Sequence, residues 1–362
     1  MPRMRQPGFA YRATVYFLLA SATLLSWHVS ASHGADNVLE AKHQMTGESL
    51  VFVGTTPANL ISRNVRGDSV IVRSTYLADQ PATIIYGAGK DYVLDEAAGT
   101  IARTVDSRIP DFSTNVLFGK KDFDHSQFAG YGNLPFTVYV DYETPDPVQF
   151  ATTVDATEPL RATVTKLRSG EPVKVIAFGD SIAAGGESST PDLQFGARYA
   201  TYLQEQFPKA KVTFENGATG GDTTVQGLAR VQEKVLSRSP ALVLLAFGMN
   251  DHNIGGTPIP AFKDNLRSLI AQIREKTGAD IILLSTFPPN PDWHYGTHQM
   301  ETYAAATKEV ADETRAAYAD VYGVWSKVLE RKDSPGLLAN NINHPNDFGH
   351  WLYLVTLQAL TF

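Results

Sequence analysis

Val173-Lys174-Val175-Ile176-Ala177-Phe178-Gly179-Asp180-Ser181 is the stretch that decides the fold. A near-continuous apolar run that stops at a glycine and two short polar residues reads as a strand buried on both faces. Working outward, residues 194–207 carry Tyr199, Leu203 and Phe207 on one helical face. Strands are predicted at 212–215, 242–247 and 281–286, with a short fifth at 320–323. Helices are predicted at 224–238, 261–277, around 302–318 and over 348–360. Strands alternating with amphipathic helices make a parallel sheet covered on both sides.

Before residue 165 the rhythm differs. Short β-branched and aromatic runs at 50–53, 69–76, 82–86 and 136–142 are separated by turn residues, and 92–105 reads as a hairpin turning at Ala97, Ala98 and Gly99. Many short strands at close spacing predict a β-sandwich over 36–165. A linker is expected between 154 and 173, with the α/β region over 171–362. The first 31 residues combine Arg3, Arg5 and Arg12 with an apolar run over 13–27 and small residues at Val29 and Ala31, the pattern of an export signal. That run is shorter than the ~20 residues that span a bilayer, so after cleavage no membrane insertion is expected and the protein is secreted or periplasmic.

Bulk properties narrow the chemistry. A length of 362 residues exceeds what one core usually supports. The net charge of −7, with no basic block, argues against a nucleic-acid partner. The chain has no cysteine, which excludes disulfides, zinc–thiolate sites and a thiol nucleophile. Hydroxyls and carboxylates remain.

The unusual polar residues fall where a parallel sheet binds ligands, at the carboxyl ends of its strands. Strand one ends in Gly179-Asp180-Ser181; strand two runs into Asn216-Gly217-Ala218-Thr219-Gly220-Gly221-Asp222; strand three ends in Gly248-Met249-Asn250-Asp251. A final loop holds Asn341-Ile342-Asn343-His344-Pro345-Asn346-Asp347. A serine hydroxyl attacks only when a neighbouring imidazole takes its proton, so Ser181 needs a partner such as His344. Gly221 and Asn250 offer N–H donors to a developing oxyanion, where one donor contributes roughly 3–4 kcal/mol.

In these four blocks and their order, the region from Val173 to Phe362 resembles the SGNH (GDSL-type) hydrolase family. Asp222-Thr223-Thr224 with Gln226-Gly227-Leu228-Ala229-Arg230 is similar to the second block of its bacterial thioesterase/lysophospholipase branch. The resemblance implies a flavodoxin-like three-layer α/β domain with a parallel sheet, ester or thioester hydrolysis, and neither cofactor nor metal. It assigns Ser181 as nucleophile, His344 as base, and Gly221, Asn250 and the Ser181 amide as the oxyanion hole. One position departs: the family has aspartate three residues before the histidine, and this chain has Asn341. An amide can hold the imidazole tautomer but supplies no charge, whose loss with a wrong tautomer costs about 10⁴-fold in a serine triad. A Ser–His dyad is therefore expected, oriented by Asn341 or a main-chain carbonyl.

Other polar residues take plainer readings. Asp180 is expected to be structural, Asp251 a turn or cap, and Asp347 the cap of the last helix. His252, His294 and His298 fit no compact metal site. Trp293, His294 and Tyr295 form a candidate pocket wall, whereas Asp122, Asp124 and His125 read as a solvated loop rather than a calcium site. A β-sandwich ahead of such a domain resembles certain carbohydrate esterases, so the expected partner is a small-molecule or polysaccharide ester, most directly an acetylated polysaccharide. The alternatives are a lipase, lysophospholipase or thioesterase, a glycan acyltransferase, and a non-catalytic glycan-binding protein with a decayed site.

Overall fold

A computed structural model describes residues 43–146 and 148–362; the export signal read over 1–31 lies outside the described residues. Among the described residues the first seven strands are β1 (His43–Leu50), β2 (Ala58–Asn59), β3 (Ile71–Arg73), β4 (Ile85–Tyr86), β5 (Tyr92–Asp95), β6 (Thr100–Arg103) and β7 (Val138–Thr144). They form two antiparallel sheets, β1-β7-β3-β4 and β2-β6-β5. The hairpin read at 92–105 is β5–β6, paired from Tyr92↔Arg103 to Asp95↔Thr100.

The stretch expected to be a linker holds β8 (Val154–Asp155) and helix α1 (Arg161–Ser169). Thr163, Val164 and Leu167 are buried, and Asp280 accepts the Thr163 N–H at 2.6 Å. Tertiary packing thus overrides a threonine-rich helix of weak propensity.

The remaining elements are β9 (Pro172–Gly179), α2 (Phe195–Gln206), β10 (Lys211–Asn216), α3 (Thr224–Lys234), β11 (Leu242–Ala246), α4 (Ile259–Thr277), β12 (Asp280–Leu284), α5 (Met300–Thr314), β13 (Ala317–Ala319), α6 (Val321–Leu329), α7 (Asp347–Gln358) and β14 (Leu360–Thr361). Strands β10-β9-β11-β12-β13 lie side by side in that order, all parallel. This is a doubly wound order in which the first strand sits inside the sheet and the chain reverses direction beside it. Helix α2 packs on α7, β9 and β10, while α3, α4 and α5 pack on one another. The fifth strand lies earlier than expected, because Arg315 adopts φ 53° and ends α5, leaving Ala317–Ala319 to pair with β12; residues 321–329 are helical.

Local signals explain the helix ends. Thr223 and Gln226 form a capping box on α3, and Gly278 in the left-handed region closes α4. Asn346, rather than Asp347, caps α7 by accepting the Gly349 N–H at 3.0 Å. One hydrophobic cluster runs from Met45 in β1 to Leu360 in β14, so the antiparallel sheets and the parallel sheet share a core. Where they meet, Glu48 is fully buried and accepts from Lys332 Nζ at 2.6 Å and from the Tyr142 hydroxyl at 2.6 Å.

Candidate active site

Strand β9 lies between β10 and β11, and its end is crowded. A Cβ on Gly179 would come within 1.9 Å of the Ala246 carbonyl oxygen on β11, so only glycine lets the two strands run on side by side. Beyond it the chain turns tightly. Asp180 accepts the Ile182 N–H at 2.9 Å, and the Ser181 carbonyl accepts the Gly186 N–H at 2.8 Å. Burial, aided by the nearby Asp251 carboxylate, pushes the Asp180 carboxyl up to about 7. The turn leaves Ser181 only partly covered at the strand's end.

His344 arrives from the loop before α7. The Asn340 side-chain oxygen gathers three backbone donors, the N–H groups of Ile342, Asn343 and His344, at 2.9–3.0 Å. The Ala339 N–H donates to the His344 carbonyl at 2.9 Å, closing the loop. The imidazole lies against Gly186, where a Cβ would stand 3.1 Å from Nδ1. The result is an Nε2 that lies 2.8 Å from Ser181 Oγ, across 163 residues of sequence.

Strands β10 and β11 bring the remaining predicted donors. Gly221 adopts φ +80° with open space where a Cβ would point, so backbone conformation rather than clearance requires glycine there. Among the described residues, neither the Ser181 nor the Gly221 N–H donates to a protein acceptor. Gly220 stands beside the nucleophile, its would-be Cβ 3.8 Å from Ser181 Cβ. Asn250 donates one amide hydrogen to the Asp222 carbonyl at 3.0 Å, which aims the other. Asp251 accepts both the Thr224 N–H and its hydroxyl, holding the start of α3.

Asn341 does not meet the imidazole. It is buried at φ 60°; its side-chain oxygen takes the amides of Asn133 and Asn290, each at 3.3 Å, and its carbonyl accepts from Asn290 at 2.8 Å. The nearest acid to His344 Nδ1 is Glu187, with Oε1 at 3.7 Å. Sequence reasoning passed over Asn340 and Glu187. An asparagine heading a turn is a readable loop signal, but nothing in spacing marks Glu187.

The 122–125 and 293–295 segments, far apart in sequence, meet in the fold. Trp293 is buried with Leu117, Phe123 and Ile342, donates from Nε1 to His125 at 3.1 Å, and His294 pairs with Asp122 at 2.8 Å. The first of these loops is therefore docked through Phe123 and His125 while Asp122 stays exposed, and Trp293 anchors it beside the histidine loop. Among the described residues no group of three or more histidine, aspartate or glutamate side chains is placed to hold a metal. No described helix is long and apolar enough to cross a membrane.

Comparisons with known proteins bear on the fold and the family. Residues 177–352 match the GDSL-like Lipase/Acylhydrolase family. An acetylxylan esterase of Geobacillus stearothermophilus is 25% identical over 204 residues, 52% of this chain and 92% of that protein. An arylesterase of Vibrio mimicus is 33% identical over 135 residues, 36% of this chain and 63% of that protein. In fold, a two-domain esterase (CEX) active on acetylated mannans superposes with a TM-score of 0.50 at 21% identity, covering 59% of this chain and 55% of that one. Residues 177–352 thus hold a domain matched by the GDSL-like Lipase/Acylhydrolase family model.

Proposed function

We propose that the protein is an exported serine esterase that removes acetyl groups from a polysaccharide, with Ser181 as nucleophile and His344 as general base. The observation that carries the reading is the 2.8 Å approach of His344 Nε2 to Ser181 Oγ beside two unoccupied main-chain donors. In this reading residues 1–31 direct export, 36–165 form the β-rich region, and 171–362 form the hydrolase region.

The chemistry follows from the geometry. With the ring proton on Nδ1, Nε2 takes the Ser181 proton as Oγ attacks the ester carbonyl. Negative charge on the former carbonyl oxygen is met by the Ser181 and Gly221 N–H groups and the free Asn250 amide hydrogen. The C–O bond to the sugar then breaks, and the imidazolium returns its proton to the leaving alcohol. Water, deprotonated by Nε2, attacks the acyl-enzyme; acetate leaves and Oγ regains its proton.

Acetyl esters are favoured because the acetylxylan esterase relative is matched over nearly its whole length. A second reading, a longer acyl or aryl ester, has support in the arylesterase and in a thioesterase/lysophospholipase of Escherichia coli, 26% identical over 139 residues. Purified protein should release acetate from acetylated xylan or mannan and cleave a short-chain chromogenic ester, and Ser181→Ala should do neither. Turnover that rises from acetyl to octanoyl esters would favour the second reading. Retention of wild type and Ser181→Ala alike on polysaccharide, without turnover by either, would reject catalysis.

A further inference from the structure

The imidazole of His344 has two ring nitrogens, and only one is accounted for by the nucleophile. Nδ1 is buried and has no hydrogen-bond partner among the described residues. Asn341, at the position where the family resemblance implies an acid, is bound to Asn133 and Asn290 instead. The carboxylate that does face Nδ1 belongs to Glu187, at 3.7 Å, in ion-pair range though longer than a hydrogen bond.

The backbone under Glu187 is held on both sides. Glu187 sits at φ 65°, a conformation costly for a residue with a Cβ unless its surroundings impose it. The Gly186 N–H is tied to the Ser181 carbonyl, and the Gly186 carbonyl lies 3.2 Å from His350 Nε2 on α7. Past Glu187, the Ser188 N–H donates to Gly185 at 3.1 Å and the Ser189 N–H to Asp347 at 2.9 Å. These bonds hold the turn so that the glutamate side chain leaves it toward the histidine.

We propose that Glu187 is the positioning acid of this site, supplied by the nucleophile's own turn in place of a residue from the histidine loop. Its carboxylate keeps the ring proton on Nδ1, leaves Nε2 free to accept from Ser181, and stabilises the imidazolium formed during acyl transfer. The proton stays on Nδ1 throughout. The His344 imidazole draws the Glu187 carboxyl below its ordinary value. Other titratable groups that interact electrostatically with the ring are Asp180 in the nucleophile's turn and His350 on α7, and neither is hydrogen-bonded to Nδ1. This inference rests on the esterase reading above.

The test is a steady-state pH series on a chromogenic acetate ester with wild type, Glu187→Gln, Glu187→Asp, Asn341→Ala and Ser181→Ala. Glu187→Gln should lower kcat by roughly 10- to 100-fold, less than the ~10⁴-fold for a buried triad aspartate, because Glu187 is partly solvated. KM should stay within about twofold, and the acid limb of kcat/KM should move to lower pH as the cationic ring loses its counter-charge. Glu187→Asp should restore part of kcat, and Asn341→Ala should leave the acid limb in place. Wild-type turnover and profile in Glu187→Gln would overturn the inference while leaving the esterase standing. So would a loss of kcat with no shift of the limb and no recovery in Glu187→Asp, the signature of a merely structural side chain. Equal turnover by wild type and Ser181→Ala would instead remove the esterase reading, and this inference with it.

Discussion

Asn250 holds a structural bond, and in the proposed mechanism it also serves the oxyanion. Its bond to the Asp222 carbonyl occupies one amide hydrogen and fixes the plane of the group, so the second points with little freedom. Pre-aimed donors of this kind act on the transition state more than on the bound ester. Asn250→Ala should therefore lower kcat about 10²- to 10³-fold with KM little changed, measured by steady-state kinetics on an acetate ester. Ser181, His344, Gly221 and Asn250 stand out as candidates in the sequence, because each lies at a strand end or in a short polar block that interrupts apolar sequence. Asn341 was legible as a position but not as a contact. Its partners Asn133 and Asn290 lie 208 and 51 residues away, and only the folded chain reveals that they take up its oxygen. Glu187 was hidden for the same reason: a glutamate on an exposed turn is ordinary until an imidazole is found beside it.

At the scale of elements, α7 does more than close the sheet. His350 on its first turns is fully buried, stacks on Phe195, and lies 3.2 Å from the Gly186 carbonyl. Burial pulls its imidazole down to about 4 from 6.5, so the folded protein keeps it neutral where the unfolded chain would bind a proton. Between about pH 6.5 and 4 the unfolded state thus carries the extra proton, and this group's contribution to stability falls as pH falls through that window. Urea unfolding across that range should show a shallower loss of stability in His350→Gln than in wild type. Elements also divide by legibility. Strands β9, β11 and β12 are runs of Val, Ile and Leu that no other structure would hide. Strand β13, Ala317-Tyr318-Ala319, reads as the tail of a helix, and its strand identity comes from pairing with β12. Helix α1 escaped notice because Thr163 and Thr165 dilute its pattern; burial against the sheet supplies what propensity lacks.

Across the whole molecule, the antiparallel sheets and the parallel sheet are joined by charge as well as by apolar packing. Glu48 in β1 and Lys332 after α6 form an ion pair with almost no solvent contact, 284 residues apart. Removing one member leaves the other charged and buried, which typically costs about 3–5 kcal/mol. Lys332→Met should lose that much in chemical denaturation, and Glu48→Gln combined with it should recover more than half, since the amide oxygen still accepts from Ile61 and the N–H₂ can donate to the Tyr142 hydroxyl oxygen. Wild type should unfold in a single transition by fluorescence and circular dichroism. Two separated transitions would show that the shared core does not couple the regions.

The crowd of asparagines behind His344 has a consequence for how the protein ages in storage. Slow loss of ammonia turns an asparagine into an aspartate. At Asn341 that change keeps an acceptor for both neighbouring amides. At Asn340 it removes the N–H₂ group that reaches the Asn343 side-chain oxygen at 3.1 Å and sets two acceptors face to face. Of two adjacent residues with the same chemistry, Asn340 is the one whose decay would loosen the loop that carries His344.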